Sequence, residues 1–383
     1  MKEKLLQFGS YVLVAALATV VTLAMVQMEV GLKPSKLDQL ENLIEERFVE
    51  DADMAALEDA AASAMIKATG DRWSYYIPAG EYAAYREQAE NAYVGVGMTI
   101  QATEDSSGFL VLDVVPGGPA EEGGIQVKDL LIAVENTDVR AMTVTEVGDL
   151  VKGKEGTYVS LTVLRQGVHE TVSLQRKRVE TPVATATMLK DNIGLVTIDN
   201  FDERCAEESI EAIETLLEQG AEKLIFDVRH NPGGFADELV ELLDYLLPEG
   251  DLFRTVRYDG KEHVDKSDTD CLRMPMAVLV NGSSYSAAEF FAAALREYDA
   301  AVVVGEQTVG KGYFQTTYQL SDGSAVALSI GKYFTPKGVS LAENGVTPDV
   351  TVVVEDDLAQ EIYYGTLPPE KDPQIQAAVK ALQ

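Results

Sequence analysis

The chain has 383 residues, with 31 Lys+Arg against 63 Asp+Glu and a formal net charge of −32. That length exceeds one compact core and implies two or three domains, while so acidic a surface repels polyanions and excludes nucleic acid as a partner. Cys205 and Cys271 stand far apart, with no CxxC and no His cluster at ligand spacing, so no zinc site is read and both thiols are expected to be unpaired.

Residues 5–28 run without a charge, long enough to cross a ~30 Å hydrocarbon layer as a helix. Lys2 and Lys4 precede the run and Glu29 follows it, an orientation that keeps the N-terminus cytoplasmic and exports the rest. A cleaved signal peptide is the alternative, but AMVQMEVG offers no small-x-small site, so residues 1–30 are read as an uncleaved single-pass anchor in the cell membrane. Residues 31–92 look helical. Leu37, Leu40, Leu43, Ile44 and Phe48 share a face, a second helix covers 54–69, and Gly70-Asp71 stops it. This region reads as a spacer or dimerisation element.

The period changes over residues 93–180. YVGVGMTI, GFLVLDVV, KDLLIAVEN, YVSLTVLR and ETVSLQRK read as strands, with one helix near 145–151, which makes a small β barrel or sandwich. Over 181–365 apolar strands alternate with amphipathic helices: NIGLVTI, KLIFDV, MAVLVN and AAVVVG are each followed by a helix or a glycine turn. Residues 366–383 end in a short helix, DPQIQAAVKALQ, which with the N-terminal helices offers a homodimer contact. The fold class is therefore multidomain α/β: an anchor, a helical segment, a small β domain, and an α/β core with both sheet faces covered.

Within AVVVGEQTVGKG, Gly305, Gly310 and Lys311 imitate a phosphate-binding loop, but Gly312 replaces the magnesium-ligating hydroxyl. The segment GYFQTTYQL that follows reads as a strand, where a phosphate loop requires a helix, so the match is a coincidence of glycine spacing. More informative is MAVLVNGSSYSAAEF, in which Ser286 stands between a buried strand and a helix, with the amide of Ala287 beside it. Hydrolases present a nucleophile in such a turn. Taken alone, Ser283, Ser284 and Ser286 read as turn residues and an N-cap. A second turn, Asn231-Pro232-Gly233-Gly234, follows KLIFDV and exposes backbone N–H groups at the same sheet edge. Of the three histidines only His230 lies near, and there is no G-x-S-x-G elbow. Lys311 is the other candidate base, provided that burial strips its proton, which needs its pKa brought from about 10.4 to roughly 7.5. Gln315 could hold the amine without adding charge.

Together these residues resemble the C-terminal processing peptidases, or tail-specific proteases, which are serine peptidases with a Ser–Lys dyad. The resemblance runs from about residue 35 to the end and rests on DVRHNPGG at 227–234, VLVNGSSYSAAEF at 278–290, VVGEQTVGKGYFQT at 303–316 and GKYFTPKGVSLAENGVTPDV at 331–350. It implies Ser286 as nucleophile, Lys311 as base and Gln315 as its orienting partner. It also implies oxyanion donors at Ala287 and at Gly233 or Gly234. Residues 93–180 then resemble a PDZ domain whose loop Gly95-Val96-Gly97-Met98 takes a peptide carboxylate. The implied partners are proteins with accessible C-terminal tails, and no metal, nucleotide or other cofactor is called for. The alternative is a non-catalytic PDZ adaptor on a peptidase-like scaffold. Departures from the usual S-A-S-A-S-E run are Tyr285 and Ala288. His230 stands where Gly or Asn is usual, and Asn136-Thr137 replaces an Asn-Gly turn.

Overall fold

A computed structural model describes residues 34–103 and 105–383, and the expected membrane anchor at 5–28 lies outside them. Among the described residues no helix is long and apolar enough to cross a membrane. The chain divides into two compact units between Gly70 and Asp71. In the first, α1 (Lys36–Arg47) starts at a capping box in which Ser35 Oγ accepts from the Asp38 amide and the Asp38 carboxylate accepts from the Ser35 amide. Asp53 caps α2 (Met54–Lys67) through the Ala56 amide. The apolar face expected on α1 forms, and Leu40, Leu43 and Phe48 on it are all more than half exposed.

The second unit opens with a departure from the all-helical reading of 31–92. Residues 75–77 form β1 (Tyr75–Ile77), paired antiparallel with residues 325–327, before α3 (Ala79–Ala89) follows. Three residues are too few to show a period, so only the long-range pairing reveals this strand. The small β domain then comprises β2 (Ala92–Gly95), β3 (Met98–Ala102), β4 (Phe109–Val114), α4 (Pro119–Glu122), β5 (Leu130–Val134), β6 (Thr137–Asp138), α5 (Val144–Val151), β7 (Tyr158–Arg165), β8 (Val168–Gln175) and β9 (Lys177–Glu180). One sheet runs β3-β4-β5-β7-β8, with β6 on β5, while β2 pairs only with β9. YVGVGMTI is thus two strands. The chain breaks at Val96-Gly97, where Gly97 takes φ +75°, a region that glycine enters at no steric cost. Phe109, Val111, Leu131, Val147, Leu161 and Val163 fill this domain's core.

The α/β core comprises β10 (Ala184–Met188), β11 (Ile193–Ile198), α6 (Cys205–Glu218), β12 (Lys223–Asp227), α7 (Ala236–Leu246), β13 (Gly250–Arg257), β14 (Glu262–Ser267), β15 (Met276–Val280), α8 (Ala287–Glu297), β16 (Ala301–Gly305), β17 (Tyr313–Gln319), β18 (Ala325–Phe334), β19 (Val350–Thr351), α9 (Asp356–Tyr363) and α10 (Pro373–Ala381). The sheet order is β10-β11-β12-β15-β16-β19, parallel from β11 onward. Alternate strand residues feed two cores. Val196, Phe226, Val278 and Val303 pack beneath α6, α7 and α8, whereas Leu195, Ile225, Leu279 and Val304 pack beneath α10 through Ile375, Ala378 and Leu382. The terminal helix therefore spends its apolar face on the second side of this sheet, which removes the reason for reading it as a dimer contact. Arg229 anchors it: the guanidinium donates to both Asp227 oxygens and, at 2.8 and 3.0 Å, to Asp372 and Gln374 at the start of α10. A second sheet, β1-β18-β13-β14 with β17 on β18, stands beside the first. Cys205 is buried, Cys271 is half-buried, and both are free thiols.

Candidate active site

Three loops meet at the C-terminal edge of the parallel sheet. The first joins β15 to α8. Ser286 sits at the helix start with φ 59° and ψ −126°, a conformation costing about 1–3 kcal/mol that persists only where surroundings dictate it. Those surroundings are visible. The Tyr285 amide donates to the Asn231 carbonyl at 3.1 Å, and Ser284 Oγ donates to the Val228 carbonyl at 2.7 Å. The Ser286 amide donates to Glu289 Oε2 at 3.0 Å, and its hydroxyl lies 3.1 Å from Tyr333 Oη. Burial pushes the Tyr333 phenol far up, so it stays neutral.

The second loop is 231–234, after β12. Buried Asn231 donates to the Ile198 carbonyl and takes the Gly233 amide on its own Oδ1, both at 2.8 Å. A Cβ on Gly233 would fall 2.6 Å from Ser286 Cβ, so only glycine lets this loop close on the serine. His230 turns elsewhere: its Nε2 is 2.9 Å from Asn281 Nδ2 and its ring meets Tyr363 edge-on. Burial, with Arg229 beside it, holds its pKa below the ordinary value.

The third loop carries Lys311 between β16 and β17. The expected strand does follow it, so no helix continues from the lysine and the strand–loop–helix order of a phosphate loop is absent. Gly310 and Gly312 do more than leave room for the lysine. Added Cβ atoms there would lie 2.8 Å from the Glu343 backbone and 2.6 Å from Ala342 Cβ, because residues 341–345 run directly against the loop. Burial brings the Lys311 pKa down to about 8, against the pull of Asp71 and Glu289. Its Nζ lies 5.2 Å from the Trp73 ring centroid and 5.8 Å from that of Tyr285, and those two rings stack at 6.0 Å. Gln315 does not meet the amine as expected. A register shift between Phe314 and Gln315 turns its Nε2 to Ser329 Oγ at 3.0 Å and the Tyr313 carbonyl at 3.1 Å.

One side chain joins the first and third loops. The fully buried Glu289 carboxylate accepts from the amides of Ser286, Gly310 (2.8 Å) and Lys311 (2.9 Å) and from Thr308 Oγ1 (2.5 Å). Burial raises its pKa while those four donors oppose the rise. Sequence reasoning passed over Glu289, Trp73 and Tyr333. For Glu289 the Ser286-x-x-Glu289 spacing was a usable signal, being that of a helix-start capping box. In the β domain, Gly95-Val96-Gly97-Met98 forms a turn closed by Val115 N–H to Gly97 O at 3.0 Å and Ala120 N–H to Val96 O at 2.7 Å. Burial raises the Tyr93 phenol, and the neighbouring Gly97 and Met98 amides pull it back.

A serine on a strained strand-to-helix turn, at the C-terminal edge of a parallel sheet and with a small β domain upstream, fits a serine protease carrying a PDZ domain. Comparison with known proteins agrees. Residues 192–352 match the model of peptidase family S41, and residues 110–165 match a PDZ domain model. The carboxy-terminal processing protease CtpA of Bacillus subtilis (strain 168) is 32% identical over 370 residues, covering 93% of this chain and 79% of that protein. A probable CtpA-like serine protease of Staphylococcus aureus (strain COL) is 30% identical over 352 residues, 89% of this chain and 70% of that one. A putative S41 protease from Bacteroides fragilis NCTC 9343 shares the fold, with TM-score 0.50 at 18% identity over 76% of this chain and 82% of that chain. The chain belongs to peptidase family S41, among the carboxy-terminal processing serine proteases. That membership counts against the non-catalytic adaptor.

Proposed function

We propose that this protein is a membrane-anchored, extracytoplasmic endopeptidase that selects proteins by their C-terminal tails and cleaves them with a Ser286–Lys311 dyad. Neutral Lys311 takes the proton from Ser286 Oγ as that oxygen attacks the scissile carbonyl. The Ala287 amide and an amide of the 231–234 turn hold the oxyanion. The Gly233 amide is already given to Asn231, which leaves the Gly234 amide as the donor from this turn. The acyl-enzyme is then resolved by a water that Lys311 deprotonates. Gln315 steadies the amine only after its amide turns from Ser329. The PDZ loop takes the tail carboxylate on the amides now facing the Tyr93 phenol. The anchor rests on the uncharged run at 5–28, and a homodimer would rest on the exposed apolar face of α1.

The observation that carries this reading is the buried Glu289 carboxylate, which holds the backbone amides of Ser286 and of Lys311 at once. The test is a comparison of protein C-termini in cells carrying the wild-type enzyme or Ser286→Ala. Tailed substrates should accumulate in the variant. Identical C-termini would contradict the proposal.

A further inference from the structure

Trp73 is the only tryptophan in the chain, and it sits far upstream of every motif of the peptidase core. It is brought to the site by a short turn. The Asp71 carboxylate accepts from the Trp73 amide at 3.1 Å and from Ser74 Oγ at 2.5 Å, and Ser74 Oγ accepts the Ser329 amide at 2.9 Å. Ser329 lies on β18, and its hydroxyl also takes the Gln315 amide. The indole is therefore pinned to the sheet that carries Gln315. Tyr285 is held from the other side by the hydrogen bond its backbone amide donates to the Asn231 carbonyl. Between these fixed supports the two rings stack with an interplanar angle of 26°, and Lys311 Nζ is within cation–π range of both. Meanwhile Ser286 Oγ keeps company with Tyr333.

Ring faces attract an ammonium and offer nothing to a neutral amine, so the pair favours the protonated lysine. Burial favours the neutral one. We propose that Trp73 and Tyr285 are positioning residues that form a two-ring clamp, parking the Lys311 ammonium against their faces until substrate entry releases it toward Ser286. The inference rests on the reading of Lys311 as the base. The charged groups around the amine are Asp71 on the Trp73 turn and Glu289 on α8, both of which also favour the cation. The Arg72 guanidinium lies 4.2 Å from the Trp73 centroid and competes for that ring. Against burial, the hydroxyls of Ser329 and Ser74 and the amides of Trp73 and Ser74 hold Asp71 below its ordinary pKa, so it stays an anion throughout the range in which Lys311 titrates. Glu343, on the segment against Gly310, is exposed. The Tyr285 phenol is raised by burial and stays neutral.

The test uses the full-length protein and a tailed protein substrate. Trp73→Leu and Tyr285→Leu keep apolar bulk but remove a ring face. Each should move the acid limb of kcat/KM to lower pH by roughly half to one unit. Trp73→Phe and Tyr285→Phe should leave it near the parent position, which guards against a mere folding defect in the Leu variants. In the wild type, Trp73 emission should titrate with a midpoint near pH 8 and become flat in Lys311→Met. A limb that stays in place, or that moves to higher pH, overturns the clamp, as does emission that ignores Lys311. Full activity in Lys311→Met would instead overturn the dyad, and the emission titration then still decides whether the clamp exists.

Discussion

The loops around Ser286 and the turn at Gly95–Met98 both gather backbone amides, yet they keep those amides in opposite ways. Around Ser286 the amides of Ser286, Gly310 and Lys311 end on one buried carboxylate that belongs to the scaffold. In the PDZ loop the Gly97 and Met98 amides face a phenol, a weaker acceptor that an incoming carboxylate can displace. The first arrangement fixes geometry, and in the proposed reading the second holds a place for a tail carboxylate. A mutation at the first should therefore cost fold and chemistry together, while one at the second should tune binding and leave chemistry alone.

The largest effect should come from the reacting groups. Ser286→Ala and Lys311→Met should each lower kcat by on the order of 10⁴-fold or more with the melting temperature nearly unchanged, read from steady-state cleavage and thermal unfolding. Glu289→Ala should break the distinction between scaffold and chemistry from the scaffold side. It strands three buried amides, so stability should fall by roughly 3 kcal/mol or more and activity should vanish with it, as chemical denaturation would show. Tyr93→Phe sharpens the other side. Without the hydroxyl the Gly97 and Met98 amides are open, and a tail peptide should bind about fivefold tighter at unchanged kcat. Titration calorimetry with free and C-terminally amidated peptides checks this, and weaker binding would show that the phenol supports the loop instead of occupying it. The smallest effect belongs to His230→Ala. With its ring committed to Asn281 and Tyr363, activity should stay within about threefold of wild type.

Much of this was legible in the sequence where the signal is local. Apolar strands ending in Asn281 and in the 231–234 turn announced the sheet edge, and GYFQTTYQL after Lys311 announced a strand and so dismissed a phosphate loop. What was not legible depends on pairs distant in sequence. Strand β1, which carries the chain on from the Trp73 turn, exists only because residues 325–327 pair with it. Tyr333 reaches Ser286 only because β18 folds back beneath α8, and the α10 face that read as a dimer contact is consumed by the sheet's second side. Gln315 shows a third kind of gap. Its placement four residues after Lys311 suited the expected role, but a register shift, invisible to spacing, turns its amide to Ser329.

The central claim, that a neutral Lys311 activates Ser286, is tested most directly by the rate at which a fluorophosphonate probe labels Ser286 as a function of pH. The expected rate rises about tenfold per pH unit and levels off near pH 8, and labelling disappears in both Ser286→Ala and Lys311→Met. Labelling that persists in Lys311→Met, or that follows a histidine-like midpoint and is lost in His230→Ala, would contradict it.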